Sequence, residues 1–356
     1  MANVGVIFGG RSAEHDVSIQ SARYITRMLA SKGHGVTLMA VDRWGRWWFD
    51  DMAEAMLEEG SRAIPRPTGT LSPQELLPPV ERLQAVDILF PVLHGPYGED
   101  GRLQGLLDVA GIPYVGSGVT ASAVAMDKAM AKALFQAAAI PVLPWLTLVR
   151  EEVEQWPQAT VARIEGTFPY PLFVKPANLG SSIGITKVKE RAELLPALHT
   201  AGTYDRRIVV EPAIPAREIE VSVLGNSHPQ ASVPGEVIPG KEWYDYEAKY
   251  MDERSQLVIP APLSPDTTAT VQELAVRAFR ALDAAGLARV DFLLHTDTGQ
   301  VYLNEVNTMP GFTQISMYPK LWEASGLPGP DLVDTLIRLG FERHAEGHRG
   351  LTEVNP

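Results

Sequence analysis

The segment RVDFLLHTDTGQVYLNEVNTMPG, residues 289–311, carries two acids, an amide and an arginine at spacings that could bring them together. Apolar stretches of alternating pattern flank HTDTGQ, whose Asp-Thr-Gly favours a turn, so the segment is predicted to form a β-hairpin. Because side chains alternate faces along a strand, a hairpin centred on Thr298 places all four polar groups on one face. The cross-strand pairs would be Asp291 with Glu305 and Arg289 with Asn307. A slip of one residue in the register would separate them.

This polar patch needs a positive charge. Two carboxylates about 5 Å apart repel by roughly 3 kcal/mol at an effective dielectric constant of about 20, which solvent, Arg289 or a metal must offset. Oxygen ligands from Asp, Glu and Asn suit Mg²⁺, with water and substrate phosphates completing the shell. The other interpretation is a solvated sheet face with an arginine–aspartate pair. The apolar setting of VYLNEVN and the Gly-Pro loop after it favour the metal site.

A second candidate site is KPANLGSSIG, residues 175–184, where a lysine ends the apolar stretch PLFVK and a Gly/Ser turn follows. Gly180 and Gly184 can adopt positive φ and let backbone N–H groups approach an anion. A P-loop would need GxxxxGK[ST] leading into a helix, whereas this turn joins two predicted strands. It is either a phosphate cradle or a mobile turn. A phosphate turn and a magnesium hairpin in one chain would indicate a nucleotide held between two domains.

Composition limits the classes of function. The chain has 356 residues, 45% hydrophobic and 21% charged, which predicts two or three globular domains. Its net charge of −12 argues against a nucleic-acid or anionic-membrane partner. The chain has no cysteine, so disulfides, thiolate nucleophiles and zinc–thiolate sites are excluded. It shows no signal-peptide pattern and no apolar run approaching roughly 20 residues, so a cytoplasmic protein is predicted.

The elements that must position the two sites fall into three blocks. Up to about Gly116, strand–helix–strand alternation indicates a parallel α/β sheet, with strands at VGVIFGG, TLMAVD, VDILFPVLHG and IPYVGS. Residues 43–80 are predicted to be an irregular insertion with a short helix. The second block begins with one Ala-rich helix over 121–139 and continues with a helix over 151–165 and the strands LTLV, LFVK and RIVVE.

The third block contains the hairpin. Ser264-Pro265 is predicted to start a helix, as an N-cap followed by proline in the first turn, and Gly286 to end it. The tail after about Phe341 is polar and is predicted to be disordered.

Six segments carry a resemblance to a known family: GGRSAEHDVS (9–18), LHGPYGEDG (93–101), AMDKAMAK (125–132), KPANLGSSIG (175–184), YDYEAKY (244–250) and RVDF…NEVNTMPG (289–311). The chain resembles the ATP-grasp enzymes and, within them, the D-alanine–D-alanine ligases over nearly its whole length. The resemblance implies an α/β (α+β) ATP-grasp fold, in which a parallel α/β domain precedes two subdomains that sandwich ATP. The expected domain boundaries are 1–116, 117–211 and 212–356.

The resemblance also implies the reaction and the nucleotide site. A first D-alanine carboxylate would attack the γ-phosphate of ATP, and the amine of a second D-alanine would then attack the acyl phosphate, yielding D-alanyl-D-alanine for peptidoglycan synthesis. Residues that match the family's nucleotide-binding positions are Lys128, Lys175, Glu211, Ile214, Glu218 and Lys249. Lys128 could instead be an exposed helix lysine. The chain departs from many relatives at Pro212, where they carry lysine, so a side-chain contact to adenine there is in doubt.

Asp291, Glu305 and Asn307 match the family's ligands for two Mg²⁺ ions, or Mn²⁺, with Glu305 between them. Arg289 has a fixed charge suited to the oxyanion of the tetrahedral intermediate, and the backbone N–H of Gly311 would be a second donor.

The implied amino-acid sites involve several further residues. Glu14 would take the ammonium of the first D-alanine, although an acid near a helix start also has a purely local interpretation. His94 would lie beside the same substrate, and Ser316 would bind the carboxylate of the second. Ser181 and Tyr250 would latch a mobile loop over residues 240–252, which otherwise reads as a packing segment. Tyrosine at 250 indicates a dipeptide product, since ester-forming relatives carry phenylalanine or a histidine-containing loop there.

Two other functions are possible from the sequence. One is an ATP-grasp carboxylate–amine ligase, or a D-alanine–D-lactate ligase, with a different second substrate. The other is a nucleotide-binding module without catalysis, which would not need Arg289. A Rossmann oxidoreductase lacks support because GxGxxG and a ribose acid are absent. The resemblance implies ATP and D-alanine as small-molecule partners, and a homodimer by analogy.

Overall fold

The structure is a computed structural model that describes residues 1–238 and 256–347. The first of its three sheets has the strand order β3-β2-β1-β4, and β1 runs parallel to both β2 and β4. Its strands are β1 Asn3–Gly9, β2 Gly35–Val41, β3 Trp47–Phe49 and β4 Ile88–Pro91. Helices α1 His15–Ser31 and α5 Arg102–Val109 follow β1 and β4. The predicted parallel pairing is confirmed for β1, β2 and β4, whereas β3 is antiparallel to β2 and IPYVGS forms only an isolated bridge between Leu89 and Tyr114.

The prediction that residues 43–80 are irregular was wrong for most of this segment. It contains β3, α2 Asp50–Glu59, a 3₁₀ turn at Gly60–Ala63 and α3 Pro73–Leu76, and α4 Val80–Leu83 follows. The buried carboxylate of Asp42 organises its start, because it accepts hydrogen bonds from Arg46 Nε at 2.7 Å and Trp48 Nε1 at 3.1 Å. The Trp, Gly and Pro residues of this segment predicted irregular structure, because residue types alone do not show that a single buried carboxylate ties the turn together.

The second sheet is antiparallel, with the order β5-β8-β6-β7. Its strands are β5 Leu146–Val149, β6 Leu172–Pro176, β7 Thr186–Val188 and β8 Arg207–Pro212, and its helices are α8 Arg150–Gln155, α9 Pro157–Glu165 and α10 Arg191–Tyr204. The helix predicted over 151–165 is thus two helices, divided at Trp156-Pro157. The Ala-rich helix is also two, α6 Val119–Met126 and α7 Lys128–Ala137.

The third sheet has the order β12-β11-β9-β13-β14, with β10 paired to β9. Its strands are β9 Ala216–Gly225, β10 Gln230–Ala231, β11 Gly235–Ile238, β12 Gln256–Val258, β13 Gly286–His295 and β14 Val301–Asn307. Helix α11 Pro265–Ala281 starts as predicted, because Ser264 Oγ accepts from Thr267 N at 3.1 Å. It ends before Gly286, which instead opens β13 at φ +72°, where a Cβ would lie 3.1 Å from Gly116 N.

The last two helices are α12 Met317–Ala324 and α13 Gly329–Gly347. Helix α13 returns to the first sheet and buries Leu332, Leu336 and Ile337 in one core with Val4 and Ile25. The prediction of a disordered tail after Phe341 was wrong as far as Gly347, since this helix continues to that residue. In the ranges that the structure describes, no helix has the length and apolarity needed to cross a membrane.

Candidate active site

The predicted polar hairpin is confirmed. Strands β13 and β14 pair with Asp291 opposite Glu305 and Arg289 opposite Asn307. The register shifts by one residue immediately beyond, between Asp291 and Phe292, so Asn304 is the extra residue of a β-bulge. The four side chains therefore share one face because the chain keeps the simple register up to the bulge.

A third acid, Glu220, extends this row. Strand β9 pairs with the other edge of β13 and sets Glu220 opposite Asp291. Arg289 lies among the acids, with Nε and Nη2 donating to the two oxygens of Asp291 at 2.7 and 2.6 Å and Nε lying 3.0 Å from Glu220 Oε2. Burial alone would lower the pKa of Arg289, but Asp291 and Glu220 hold it well above its ordinary value. The guanidinium is thus fixed and permanently charged.

The metal prediction has a suitable donor set but no compact cluster. Within residues 1–238 and 256–347, no three His, Cys, Asp or Glu side chains are grouped so that they could hold an ion. The predicted set has only two carboxylates, and one of them, Asp291, also accepts from Asn307 Nδ2 at 3.1 Å. All three residues offer oxygen atoms, however, and these are the ligands that Mg²⁺ takes. The donor chemistry therefore fits Mg²⁺.

The Gly/Ser turn joins β6 to β7 as predicted, and its backbone is largely left-handed. Ser181, Ser182 and Gly184 have φ of +54°, +57° and +71°. The hydroxyl of Ser181 is buried and has no hydrogen-bond partner in the part of the chain that is described. A strained turn with an unsatisfied buried donor is typical of a ligand-binding loop.

Lys128 reaches the site because the Ala-rich segment breaks just before it. It is the first residue of α7, and Asp127 caps this helix by accepting from Met130 N at 3.0 Å. Its Nζ donates to the carbonyl of Leu179 in the Gly/Ser turn at 2.6 Å and lies 4.0 Å from Glu305 Oε2. It is therefore not an exposed helix lysine, and it connects the turn with the polar hairpin.

Lys175 and Glu211 form a buried ion pair that includes a third residue, Lys132. The Nζ of Lys175 donates to Glu211 Oε1, and Lys132 Nζ lies 2.8 Å from Oε2. Burial would raise the pKa of Glu211, but the two lysines lower it to about 2. No role was predicted for Lys132, although it is the last residue of the motif AMDKAMAK.

A cleft of about 300 Å³ lies between the second and third sheets, and its lining does not include Ser181, Arg289 or Asn307. Of the predicted site residues, it brings together Lys128, Lys175, Glu211, Ile214, Glu218, Asp291 and Glu305. Its walls also include Phe173, Ile185 and Phe292. An apolar slot with lysines on one side and carboxylates on the other has the character of a nucleotide site.

A second corner lies where the first sheet meets the Gly/Ser turn. Glu14 and Glu99 approach each other there: a Cβ on Gly180 would lie 3.7 Å from Glu14 Oε2 and 4.0 Å from Glu99 Oε1. Glu99 accepts from Gly95 N at 2.8 Å. Burial and then the neighbouring Glu14 raise the pKa of Glu99 to about 8. Two buried acids this close together attract a cation. No role was predicted for Glu99, although it lies in the motif LHGPYGEDG.

His94 links this corner to the loop after the hairpin. Its Nδ1 donates to Met309 O at 2.9 Å, and Nε2 lies 3.2 Å from Ser21 Oγ, which accepts from Phe312 N at 3.1 Å. Burial lowers the pKa of His94, in keeping with a neutral ring. His94 thus fixes the position of the loop 308–316.

Gly311 and Ser316 lie together in that loop. A Cβ on Gly311 would lie 3.1 Å from Ser316 Oγ, which accepts from Thr313 N at 2.9 Å. The remaining predictions, Lys249, Tyr250 and the loop over 240–252, lie outside the described residues.

Two antiparallel sheets that face each other across a nucleotide-sized cleft, with Lys175 on one and Asp291 and Glu305 on the other, have the architecture of an ATP-grasp enzyme. The family model for the D-ala D-ala ligase N-terminus matches residues 3–117, and that for the C-terminus matches residues 134–338. The chain belongs to the D-alanine–D-alanine ligase family, whose members are peptide-bond-forming ligases.

Individual relatives agree over the full length. The D-alanine–D-alanine ligase of Heliobacterium modesticaldum is 49% identical, and that of Natranaerobius thermophilus 46%, each over 99% of this chain and 98% of the relative. The solved D-alanine-D-alanine ligase from Coxiella burnetii has a TM-score of 0.81 at 37% identity, covering 98% of this chain and 97% of its own. The VanG D-Ala:D-Ser ligase from Enterococcus faecalis reaches the same TM-score at 34% identity, over 95% of this chain and 99% of its own.

Proposed function

We propose that this protein joins two D-alanine molecules to D-alanyl-D-alanine at the expense of ATP, in the synthesis of peptidoglycan precursors. The observation that carries the proposal is that three groups meet in one place: the Gly/Ser turn with its lysines, the Arg289 hairpin and the Glu14–Glu99 corner. Relatives that match over the full length and are named for this activity support it. The first carboxylate attacks the γ-phosphorus of ATP and displaces ADP. The second amine then attacks the acyl carbonyl, and phosphate leaves with one of the original carboxylate oxygens.

In this proposal the nucleotide lies in the cleft between the second and third sheets. Lys128, Lys175 and Lys249 bind the phosphates, Glu211 and the backbone of Ile214 bind the base, and Glu218 binds the ribose. Pro212 contributes no N–H and no side-chain charge to the base. Two Mg²⁺ ions, for which Mn²⁺ is a substitute, would be held by Asp291, Glu305 and Asn307 and would neutralise the charge of the phosphates.

The amino acids occupy the corner next to this cleft. Glu14, with Glu99 beside it, holds the ammonium of the first D-alanine, and Ser316 holds the carboxylate of the second. Arg289 and the N–H of Gly311 stabilise the oxyanion of the tetrahedral intermediate. The buried hydroxyl of Ser181, which has no hydrogen-bond partner among the described residues, would bond to Tyr250 and so keep water from the acyl phosphate when the loop over 240–252 closes.

Several wider features belong to the same proposal. We assign domain boundaries at 1–116, 117–211 and 212–356, although α13 packs into the core of the first sheet. A cytoplasmic homodimer with a role in cell-wall formation and cell shape is proposed by analogy with the family.

The acyl phosphate can be tested directly. With D-alanine labelled by ¹⁸O in its carboxylate, we expect one label in the released phosphate for each dipeptide formed. Hydroxylamine in place of the second D-alanine would trap D-alanyl hydroxamate. Unlabelled phosphate together with dipeptide formation would contradict this route.

The second candidate is a ligase with another acceptor, such as D-serine or D-lactate. The similarity to the VanG D-Ala:D-Ser ligase favours keeping it, because the same fold carries a different acceptor there. Competition between D-alanine and each alternative, with products identified by mass, separates the candidates. The Tyr250→Phe variant is expected to raise ester formation with D-lactate relative to peptide formation, and an unchanged product ratio would contradict that assignment.

A further inference from the structure

Glu211 is held by two lysines in one of the most enclosed parts of the site. Its side chain is 1% exposed, that of Lys132 is 3% exposed and that of Lys175 is 10% exposed. A lone buried carboxylate would tend to take up a proton, because burial disfavours its charged form. The lysines prevent this, so Glu211 is ionised.

The two lysines differ in how readily each could separate from Glu211. Lys132 Nζ also donates to the carbonyl of Leu143 at 3.3 Å and lies 5.9 Å from the centre of the Trp145 ring. Lys175 is at the end of β6, directly before the Gly/Ser turn, and lines the cleft. A phosphate in the turn would compete with Glu211 for Lys175 but has no access to Lys132.

We propose that Lys132 is a positioning residue for base recognition, which keeps Glu211 ionised and oriented while Lys175 transfers from Glu211 to the nucleotide phosphates. This inference rests on the proposed function, in which the cleft binds ATP. The transfer frees Glu211 Oε1 to accept from the exocyclic amine of adenine. Base and phosphate recognition are therefore coupled through one carboxylate.

The coupling has a consequence for nucleotide choice. Adenine presents an amine donor where guanine presents a carbonyl acceptor, so an ionised carboxylate favours the first and repels the second. Without Lys132, Glu211 must either keep Lys175, which weakens phosphate binding, or release it and remain buried without a cation. In the first case Glu211 Oε1 stays occupied and cannot accept from the adenine amine. In the second case the lone buried carboxylate tends to take up a proton and no longer repels the guanine carbonyl. The preference for adenine nucleotides falls in both cases.

The test is calorimetric titration of ADP and GDP, with Mg²⁺, into the wild-type protein, Lys132→Met and the matched control Lys32→Met, which removes an exposed lysine that pairs with Asp331 away from the cleft. A charge-assisted interaction of this kind corresponds to roughly 10- to 100-fold in affinity. We expect Lys132→Met to lose about that factor for ADP and much less for GDP. Lys32→Met is expected to bind both nucleotides as the wild type does.

A second variant covers the case in which Lys132→Met does not fold. Glu211→Gln keeps the size of the side chain and removes its charge, so we expect it to bind GDP at least as well as the wild type and to lose the preference for ADP. A folded Lys132→Met or Glu211→Gln protein with the wild-type ratio of ADP to GDP affinity would overturn the inference. Failure of the wild type to bind ADP would instead refute the proposed function.

Discussion

At the scale of single residues, the protonation of Glu99 is set by its surroundings. Glu14, Glu305 and Asp100 all face its carboxyl with negative charge, and the N–H of Gly95 donates a hydrogen bond to it. With a pKa of about 8, Glu99 carries a proton at neutral pH until a cation arrives. A substrate ammonium at this corner would displace that proton.

This gives a pH prediction for the first D-alanine. Because binding favours the ionised form of Glu99, the KM for the first D-alanine should fall severalfold between about pH 6 and about pH 8. In Glu99→Gln the KM should be higher at about pH 8 and nearly independent of pH over that range. Glu81→Gln, which removes an exposed acid of the same domain, is the control. An identical pH profile in wild type and Glu99→Gln would contradict the assignment.

Arg289 gives a second prediction at this scale. Lysine would keep the charge but not the two parallel hydrogen bonds to Asp291. We expect Arg289→Lys to lower kcat by about 10²-fold, with the KM for ATP changed much less, because a lysine without this two-point anchor on Asp291 would not hold its charge where the oxyanion forms. Arg338→Lys on the exposed face of α13 is the control. A large increase in the KM for ATP with unchanged kcat would assign Arg289 to nucleotide binding instead.

The charged residues of recognisable motifs could be predicted from the sequence, whereas the residues that contact them in the fold could not. Alternation along REIE points to Glu218 and Glu220 on one face, yet only strand pairing shows that Glu220 lies opposite Asp291. Lys132 and Glu99 are in quoted motifs, but their roles depend on burial. Burial at these positions arises from contacts distant in sequence, which single-sequence patterns do not contain.

At the scale of elements, the break between α6 and α7 matters more than the helices themselves. Alanine content predicted one helix, since alanine is the strongest helix former. Asp127 ends α6, caps α7 and forms an ion pair with Arg207 on β8. The ion pair between Asp127 and Arg207 overrides the helix propensity of the Ala-rich segment. The resulting break directs the side chain of Lys128 towards the site.

The cap can be tested with a pair of variants. Asn is as good an N-cap as Asp, whereas Ala is poor, so Asp127→Ala should be less stable than Asp127→Asn by about 1 kcal/mol. Both variants lose the ion pair with Arg207, so their difference isolates the cap. Urea denaturation measures it, and the KM for ATP should be higher in Asp127→Ala because Lys128 follows the cap. Equal stability and equal KM would contradict this account.

At the scale of the whole molecule, the chain closes on itself through α13. The three sheets appear in sequence order, which the strand patterns predicted, but the last helix returns to pack against α1 and β1. Nothing in its local sequence indicates which sheet it covers, because its apolar stripe would fit any of them. The end of this helix, after Phe341, is polar, and this composition predicted a disordered tail instead.

This packing predicts where a core mutation acts. Leu336 is fully buried, so Leu336→Ala should cost about 2–5 kcal/mol. We expect faster hydrogen exchange in β1 and α1, with the second sheet, whose core contains no residue of α13, protected as in the wild type. Arg338→Ala, which removes an exposed side chain from the same helix, is the control. Faster exchange confined to the third sheet would place α13 in a different core.

The most direct measurement of the central claim is phosphate release from ATP and Mg²⁺ with D-alanine, L-alanine, or D-alanine together with D-lactate or D-serine, with products identified by mass. We predict turnover that depends on D-alanine and yields D-alanyl-D-alanine even when the other acceptors compete. A product containing only another acceptor would contradict the assignment of the second-substrate site, and bound ATP without turnover would contradict ligase activity itself.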